Sequence, residues 1–106
     1  MKEVYIVCRG IGNDASDGVY VEQEFIDAVY SSREAAMEHA GKWLENWRRN
    51  AQADSSWKCM EDQEEFEAIE SNVLVRYGYC RNDGIYEEHY CTVVKYDVLD
   101  EIKEES

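Results

Sequence analysis

The chain has 106 residues, a length that suits one domain with a single modest core. Its composition is 44% hydrophobic and 12% aromatic, which predicts a folded globule rather than a disordered chain. Twenty-four acids against eleven lysine and arginine residues give a formal charge of −13 at pH 7, which argues against direct binding to nucleic acid or to an anionic membrane.

No apolar run approaches the ~20 residues that a membrane-spanning helix needs. The first ten residues, MKEVYIVCRG, contain an apolar segment too short for a signal peptide and read as a strand. We therefore expect a cytoplasmic protein in which residues 1–106 form one domain. The acidic tail at residues 100–106 is expected to fray.

Two strands are predicted at the start of the chain. Residues 4–9, VYIVCR, are rich in β-branched and aromatic side chains, as a strand is. Residues 10–18 form a connection whose glycines do not complete a GxGxxG motif, and no helix follows, so a phosphate site is not predicted. Residues 19–30 return as the second strand of a hairpin. Their apolar positions change phase, which indicates a bend or bulge near Glu24.

Residues 31–50, SSREAAMEHAGKWLENWRRN, predict one long amphipathic helix. Ser31 and Glu34 have the spacing of a capping box. Apolar residues at three- and four-residue spacing form one stripe: Ala36, Ala40, Trp43, Leu44 and Trp47. Two i,i+4 pairs with the acid first lie on the other side: Glu38–Lys42 and Glu45–Arg49. The stripe predicts that the helix packs across a sheet.

The acidic stretch at residues 57–70 leaves two interpretations open. It carries six acids and no base from Glu61 to Glu70. It fits a short helix with Phe66 and Ile69 inward, and it also fits the start of a long strand.

A second hairpin is predicted from residues 72–80 and 85–99, which flank the turn sequence Asn-Asp-Gly. Pairing outward from that turn sets Val75 near Tyr90 and Tyr77 near Glu88. Four tyrosine rings are then expected to stack across the pair: Tyr77, Tyr79, Tyr86 and Tyr90. The predicted fold is therefore α+β, with an antiparallel sheet of about four strands and the 31–50 helix on one face.

The cysteines and histidines offer only weak candidates for chemistry. No two of the four cysteines have CxxC spacing, so free thiols are expected, with disulfides or a zinc site that includes His89 as the alternatives. His89 and Cys91 lie two apart on a strand, so both side chains share a face. His39 is expected at the partly exposed boundary of the helix. We predict no catalytic, cofactor-binding or metal-binding residue, and a protein that is not an enzyme.

The acidic surface is the feature that points to a function. Carboxylates in rows can approximate the phosphate spacing of a duplex, about one charge per 1.7 Å of axis. Aromatic residues between them can act as apolar anchors. The residues predicted to bind a partner are Glu61, Asp62, Glu64, Glu65, Glu67, Glu87 and Glu88.

The opening half has a recognisable order of motifs. A start strand VYIV (residues 4–7) leads through a polar loop to a second strand ending in DAVYSS (residues 27–32), and REAA (residues 33–36) opens the helix. Over about residues 3–50 this resembles a family of small uncharacterised bacterial and phage proteins. The small, acidic chain is also similar in character to phage anti-defence proteins, including anti-CRISPRs and DNA mimics.

This resemblance implies a phage-encoded inhibitor that occludes a basic, nucleic-acid-binding surface of a host protein. The expected partner is thus a basic protein, with no direct contact to nucleic acid or membrane and no cofactor. One alternative is a homodimeric structural or assembly protein that uses a tyrosine-rich sheet face. The third hypothesis is a small enzyme built on Cys91 and His89.

Overall fold

The computed structural model describes residues 2–14, 20–60, 72–81 and 86–98. Its elements are β1 (Lys2–Asp14), β2 (Tyr20–Tyr30), α1 (Arg33–Gln52), β3 (Trp57–Met60), β4 (Val73–Arg81) and β5 (Glu87–Val98). The stretch 61–70 and the tail 100–106 fall outside the described ranges, so the alternatives for the first and the fraying of the second stay predictions. Among the described residues no helix has the length and hydropathy to span a membrane.

The α+β fold class is confirmed. The described strands form one antiparallel sheet in the order β2-β1-β5-β4-β3, and α1 packs on one of its faces. The sheet has five strands where about four were predicted, because the short β3 pairs with the end of β4. The core lies between helix and sheet and consists of Val7, Ala36, Ala40, Val75, Cys91 and Val93, with further apolar side chains packed around them.

Strand β1 is longer than predicted and runs to Asp14 instead of ending at residue 9. It pairs with β2 on one side and with β5 on the other over nearly its whole length. Gly10 makes this possible: the ring of Tyr90, on β5, occupies the space that a side chain at residue 10 would fill. The predicted connection at residues 10–13 is therefore wrong, because these residues are paired strand.

The bend or bulge predicted in β2 is present, but it lies at Asp27 rather than near Glu24. Val7 pairs with Ala28 and Cys8 pairs with Ile26, which leaves Asp27 as the extra residue of a β-bulge. Because of this extra residue, Ala28 and Tyr30 pack against the core on the helix side.

Helix α1 begins two residues later than predicted. Ser32, not Ser31, is the N-cap, and its side chain accepts a hydrogen bond from the Ala35 amide at 3.2 Å. Ser31 is left as the link to β2, which pairs up to Tyr30. The predicted stripe is buried at Ala36, Ala40 and Leu44. Both predicted pairs form: Lys42–Glu38 at 3.3 Å and Arg49–Glu45 at 3.7 Å.

The predicted register of the second hairpin is wrong by three residues. Val75 pairs with Val93 and Tyr77 with Cys91. An odd shift changes which side chains share a face, and the observed register is the one that buries Val75 with Val93 and Cys91. The expected row of stacked tyrosines is therefore absent. Tyr79 instead stacks on Trp47 of α1, with ring centroids 5.5 Å apart.

The contact between Gly10 and Tyr90 predicts a stability effect. Gly10→Ala is expected to lower the free energy of unfolding by about 1–3 kcal/mol, because the added Cβ overlaps a ring that is 3% exposed and has little room to move. Urea denaturation measures the change. Gly41→Ala is the matched control: apart from the neighbouring helix backbone, no described atom lies within 4 Å of its added Cβ, and it is expected to raise stability by up to about 1 kcal/mol. Equal effects at both positions would contradict the close contact.

Candidate functional site

The structure describes two of the seven residues predicted to bind a partner, and it separates them. Glu87 and Glu88 are neighbours on β5 and so point to opposite faces of the sheet. Glu88 is 5% exposed, forms an ion pair with Arg76 and accepts a hydrogen bond from the Tyr86 hydroxyl at 2.8 Å. It therefore does not belong to an exposed acidic face, because a basic residue on the neighbouring strand neutralises it.

Glu87 lies on the helix side, half-buried, with its Oε2 3.1 Å from Nε2 of His89. The other five predicted residues lie outside the described ranges: Glu61, Asp62, Glu64, Glu65 and Glu67.

Many carboxylates of the described residues have basic partners. In addition to Glu88, four pair with a lysine or arginine: Glu3 with Lys95, Asp27 with Arg9, Glu38 with Lys42 and Glu45 with Arg49. Surface pairs of this kind contribute little stability, but they reduce the field that the surface projects.

The charge of the chain is unevenly distributed along its sequence. Residues 61–71 carry six acids and no base, and residues 99–106 carry four acids and one lysine. The residues that the structure describes hold twelve acids and ten lysine and arginine residues, a formal charge of −2. The base-free run from Glu61 to Glu70, already evident in the sequence, is therefore the densest concentration of acid in the chain.

The two most acidic stretches follow strands that end at different levels of the sheet. Strand β3 ends at Met60, which pairs with Gly78 in the middle of β4, and Gly78 pairs with Tyr90 of β5. Strand β5 continues eight residues beyond Tyr90 to Val98.

A second feature is the outer edge of β2, which lies at one end of the strand order. Ile26 is 62% exposed and Phe25 is 48% exposed, and Val21 and Val29 are exposed as well. Apolar side chains on an edge strand are typical of a surface that another chain can cover. We call residues Val21, Glu22, Glu24, Phe25 and Ile26 the β2 edge surface.

Two carboxylates of the β2 edge surface converge on the hydroxyl of one buried tyrosine, which donates its single proton to one of them at a time. The Tyr90 hydroxyl lies 3.1 Å from Oε1 of Glu22 and 2.9 Å from Oε2 of Glu24. Burial and these two carboxylates raise the pKa of Tyr90 well above its ordinary value, so it stays a neutral donor. The guanidinium of Arg76 lies 4.5 Å from the centre of its ring. The side chains of Glu22 and Glu24 remain exposed on the face opposite α1.

A third feature is a polar cluster that sequence reasoning did not connect. Oδ2 of Asp27 lies 2.6 Å from Nε2 of His39, and Oδ1 lies 3.2 Å from Arg9. Nδ1 of His39 lies 2.7 Å from the Tyr30 hydroxyl. The cluster borders a cleft of about 480 Å³ between α1 and the sheet. Its members lie far apart in sequence, and only the bulge brings Asp27 to the helix side.

This cluster resembles an oriented catalytic histidine but differs from one in an essential respect. Both ring nitrogens of His39 already have protein partners, so neither faces a ligand. The cluster therefore fastens the first half of α1 to the bulge in β2. Within the described ranges no group of three or more histidine, cysteine or acidic side chains could hold a metal ion.

The pair Cys91 and His89 lacks the features of an activated nucleophile. Cys91 is fully buried, and burial, with a smaller contribution from Asp27, raises the pKa of its thiol to about 12. The thiolate is therefore scarce at neutral pH. His89 is enclosed by Trp47 and Trp57, whose ring centroids lie 4.9 and 5.3 Å away. All four cysteines are free thiols, of which Cys59 is exposed.

The side chains of Asp27 and His39 should be energetically coupled. Asp27→Ala is expected to cost about 1–3 kcal/mol of unfolding free energy, because half-buried donors lose their acceptor. A double-mutant cycle with His39→Ala should give a coupling energy of about 0.5–3 kcal/mol. Glu38→Ala, on the exposed side of α1, is the control and should change stability by less than about 0.5 kcal/mol. Strict additivity of Asp27→Ala and His39→Ala would show that the two side chains do not interact.

Thiol labelling tests the state of Cys91. In the folded protein at pH 8, an aromatic disulfide reagent should react rapidly with Cys59 and leave Cys91 unmodified. Mass spectrometry after brief labelling identifies the modified residue, and Cys59→Ser should remove the rapid phase. Rapid modification of Cys91 without unfolding would revive the small-enzyme hypothesis.

Comparison with known proteins leaves the interpretation to the geometry. No protein-family model matches the chain, and no curated protein or solved structure matches it either. The resemblance of residues 3–50 to small bacterial and phage proteins therefore stays a prediction. The features of this chain that bear on function are the acidic run at residues 61–67, the β2 edge surface and the contacts of Asp27, His39 and Cys91.

Proposed function

We propose that this protein is a small non-enzymatic binding protein whose acidic stretches engage a basic surface of a partner protein. The observation that supports this most is the concentration of charge in the sequence: residues 61–67 carry five acids and no base. Acids without neighbouring bases project a field that attracts a cationic partner, whereas paired acids do not.

The spacing of the acids suits a surface that normally binds nucleic acid. Residues 61–67 carry five acids, so the stretch would present about one charge per 2 Å as a helix or about one per 5 Å as an extended chain. Duplex DNA presents one per about 1.7 Å of axis, and each of its strands one per about 3.4 Å. Occlusion of a host nucleic-acid-binding surface by a phage-encoded inhibitor remains the form of this function that we favour.

The two rival hypotheses have less support. A homodimer through a tyrosine-rich face needs the tyrosines to lie together, but Tyr79 packs under α1 and Tyr90 lies on the other face. An enzyme built on Cys91 needs an accessible thiolate, which its burial opposes.

The proposed function predicts that binding depends on the acids at residues 61–67. The immobilised protein, incubated with extract of the natural host, should retain a basic protein at about 0.1 M salt and release it at about 1 M, because the screening length falls from ~10 Å to ~3 Å. Duplex DNA should compete. Replacement of Glu61, Asp62, Glu64, Glu65 and Glu67 by their amides should abolish retention of that protein.

A matched control variant distinguishes the effect of where the acids lie from the effect of the net charge. Five exposed acids of the described residues are changed to amides in the same way: Glu3, Glu34, Glu38, Glu45 and Asp97. This variant has the same net charge as the first and should still retain the partner. Equal loss in both variants, or retention that does not change with salt, would contradict the proposal.

A further inference from the structure

Among the described strands, none pairs with the outer edge of β2, the one that faces away from β1. Backbone amides and carbonyls on such an edge can pair with an added strand. The bulge at Asp27 interrupts this edge, so the regular part runs from residue 20 to residue 26, about 23 Å of strand.

The side chains along this edge alternate in chemistry between the two faces of the sheet. On the helix side, Phe25 lies under the guanidinium of Arg9 at 5.2 Å, and Val21 shares that face. On the opposite face lie Glu22 and Glu24, followed by Ile26. An added strand would therefore meet apolar side chains on one face and carboxylates on the other.

The carboxylates are held in position before any partner arrives. Glu22 and Glu24 both contact the hydroxyl of Tyr90, whose ring is fixed over Gly10 and beneath Arg76. A prepositioned acid loses less conformational freedom on binding than one that must be ordered, which favours recognition at this place.

Pairing of this edge with the β2 edge of a second copy of the chain is electrostatically unfavourable. Two β2 strands pairing edge to edge bring Glu22 and Glu24 of both copies onto adjacent strands, where like charges are destabilising. The two chains would also meet with a formal charge of −13 each. A basic partner has the opposite property, since each lysine or arginine next to these acids gains an attractive contact.

We propose that the edge of β2 docks an extended segment of the partner protein, about seven residues long, in which lysine or arginine alternates with apolar residues. The segment adds to the sheet as a strand beside β2, with its basic side chains at Glu22 and Glu24 and its apolar ones at Val21 and Phe25. This inference rests on the proposed function, because it assigns the basic partner a second point of contact.

A blocked heptapeptide of alternating lysine and valine is the probe. Binding followed by amide exchange should protect amides within residues 20–26 and leave those of α1 unchanged. Two N-methylated forms, one methylated on the valines and one on the lysines, provide a matched pair, because alternate amides of an added strand face β2 or solvent. One form should bind within about threefold of the parent and the other more than about tenfold weaker. Equal binding by both forms would overturn the proposal.

Two variants test the side-chain contacts. The double variant Glu22→Gln, Glu24→Gln should bind the peptide about three- to tenfold more weakly. The double variant Glu38→Gln, Glu45→Gln should bind it with unchanged affinity. Phe25→Ser alters an exposed side chain and should weaken binding without loss of the fold, which a thermal melt checks. Wild-type affinity in both β2 variants would refute docking at β2.

The outcomes separate this inference from the proposed function. If the amide variant at residues 61–67 loses the host partner while the peptide fails to protect β2, the proposed function stands and the docking edge falls. If the peptide protects the β2 amides but the amide variant at residues 61–67 still retains the host partner, the proposed function is wrong. A dimer in sedimentation whose β2 amides are protected without peptide would assign the edge to a second copy and overturn the proposal.

Discussion

The β-bulge at Asp27 is the constraint on which the rest of the arrangement depends. One extra residue opposite Val7 and Cys8 lets Ala28 and Tyr30 pack inward while Asp27 itself reaches His39 on α1. Without it, the end of β2 would turn its apolar side chains away from the helix, and the polar cluster would not form. The same bulge ends the regular open edge of β2. A local change of register thus sets both how the helix is held and how much of the edge is available.

The described helix and strands are close to neutral, with carboxylates such as Glu88 and Asp27 matched by bases. The densest run of acids in the sequence, residues 61–67, contains no base. In the function that we propose, this run supplies the attraction to a cationic partner. The β2 edge surface would add apolar contact and backbone pairing to that attraction.

The sequence predicted what depends on local patterns. The helix followed from apolar spacing at Ala36, Ala40 and Leu44. The antiparallel pairing of β4 with β5 followed from two β-rich runs, while the Asn-Asp-Gly turn predicted between them lies outside the described ranges. Register depends instead on burial of residues far apart, so the pairing of Val75 with Val93 was missed. The same is true of Glu88, which is buried on the face opposite α1 beside Arg76 of the neighbouring strand, whereas Glu87 lies on the helix side. The cluster around His39 needs a bulge whose presence was predicted but whose position was not.

The proposed function requires that the fold does not neutralise the acids at residues 61–67 with its own bases. The most direct test is the free energy of unfolding, measured with urea at low salt, of the variant in which Glu61, Asp62, Glu64, Glu65 and Glu67 are amides. We predict stability equal to or slightly above that of the native chain, since removal of like charges that lie close together in sequence relieves repulsion. A loss of more than about 1 kcal/mol would show that the fold itself neutralises these acids, and would contradict the account.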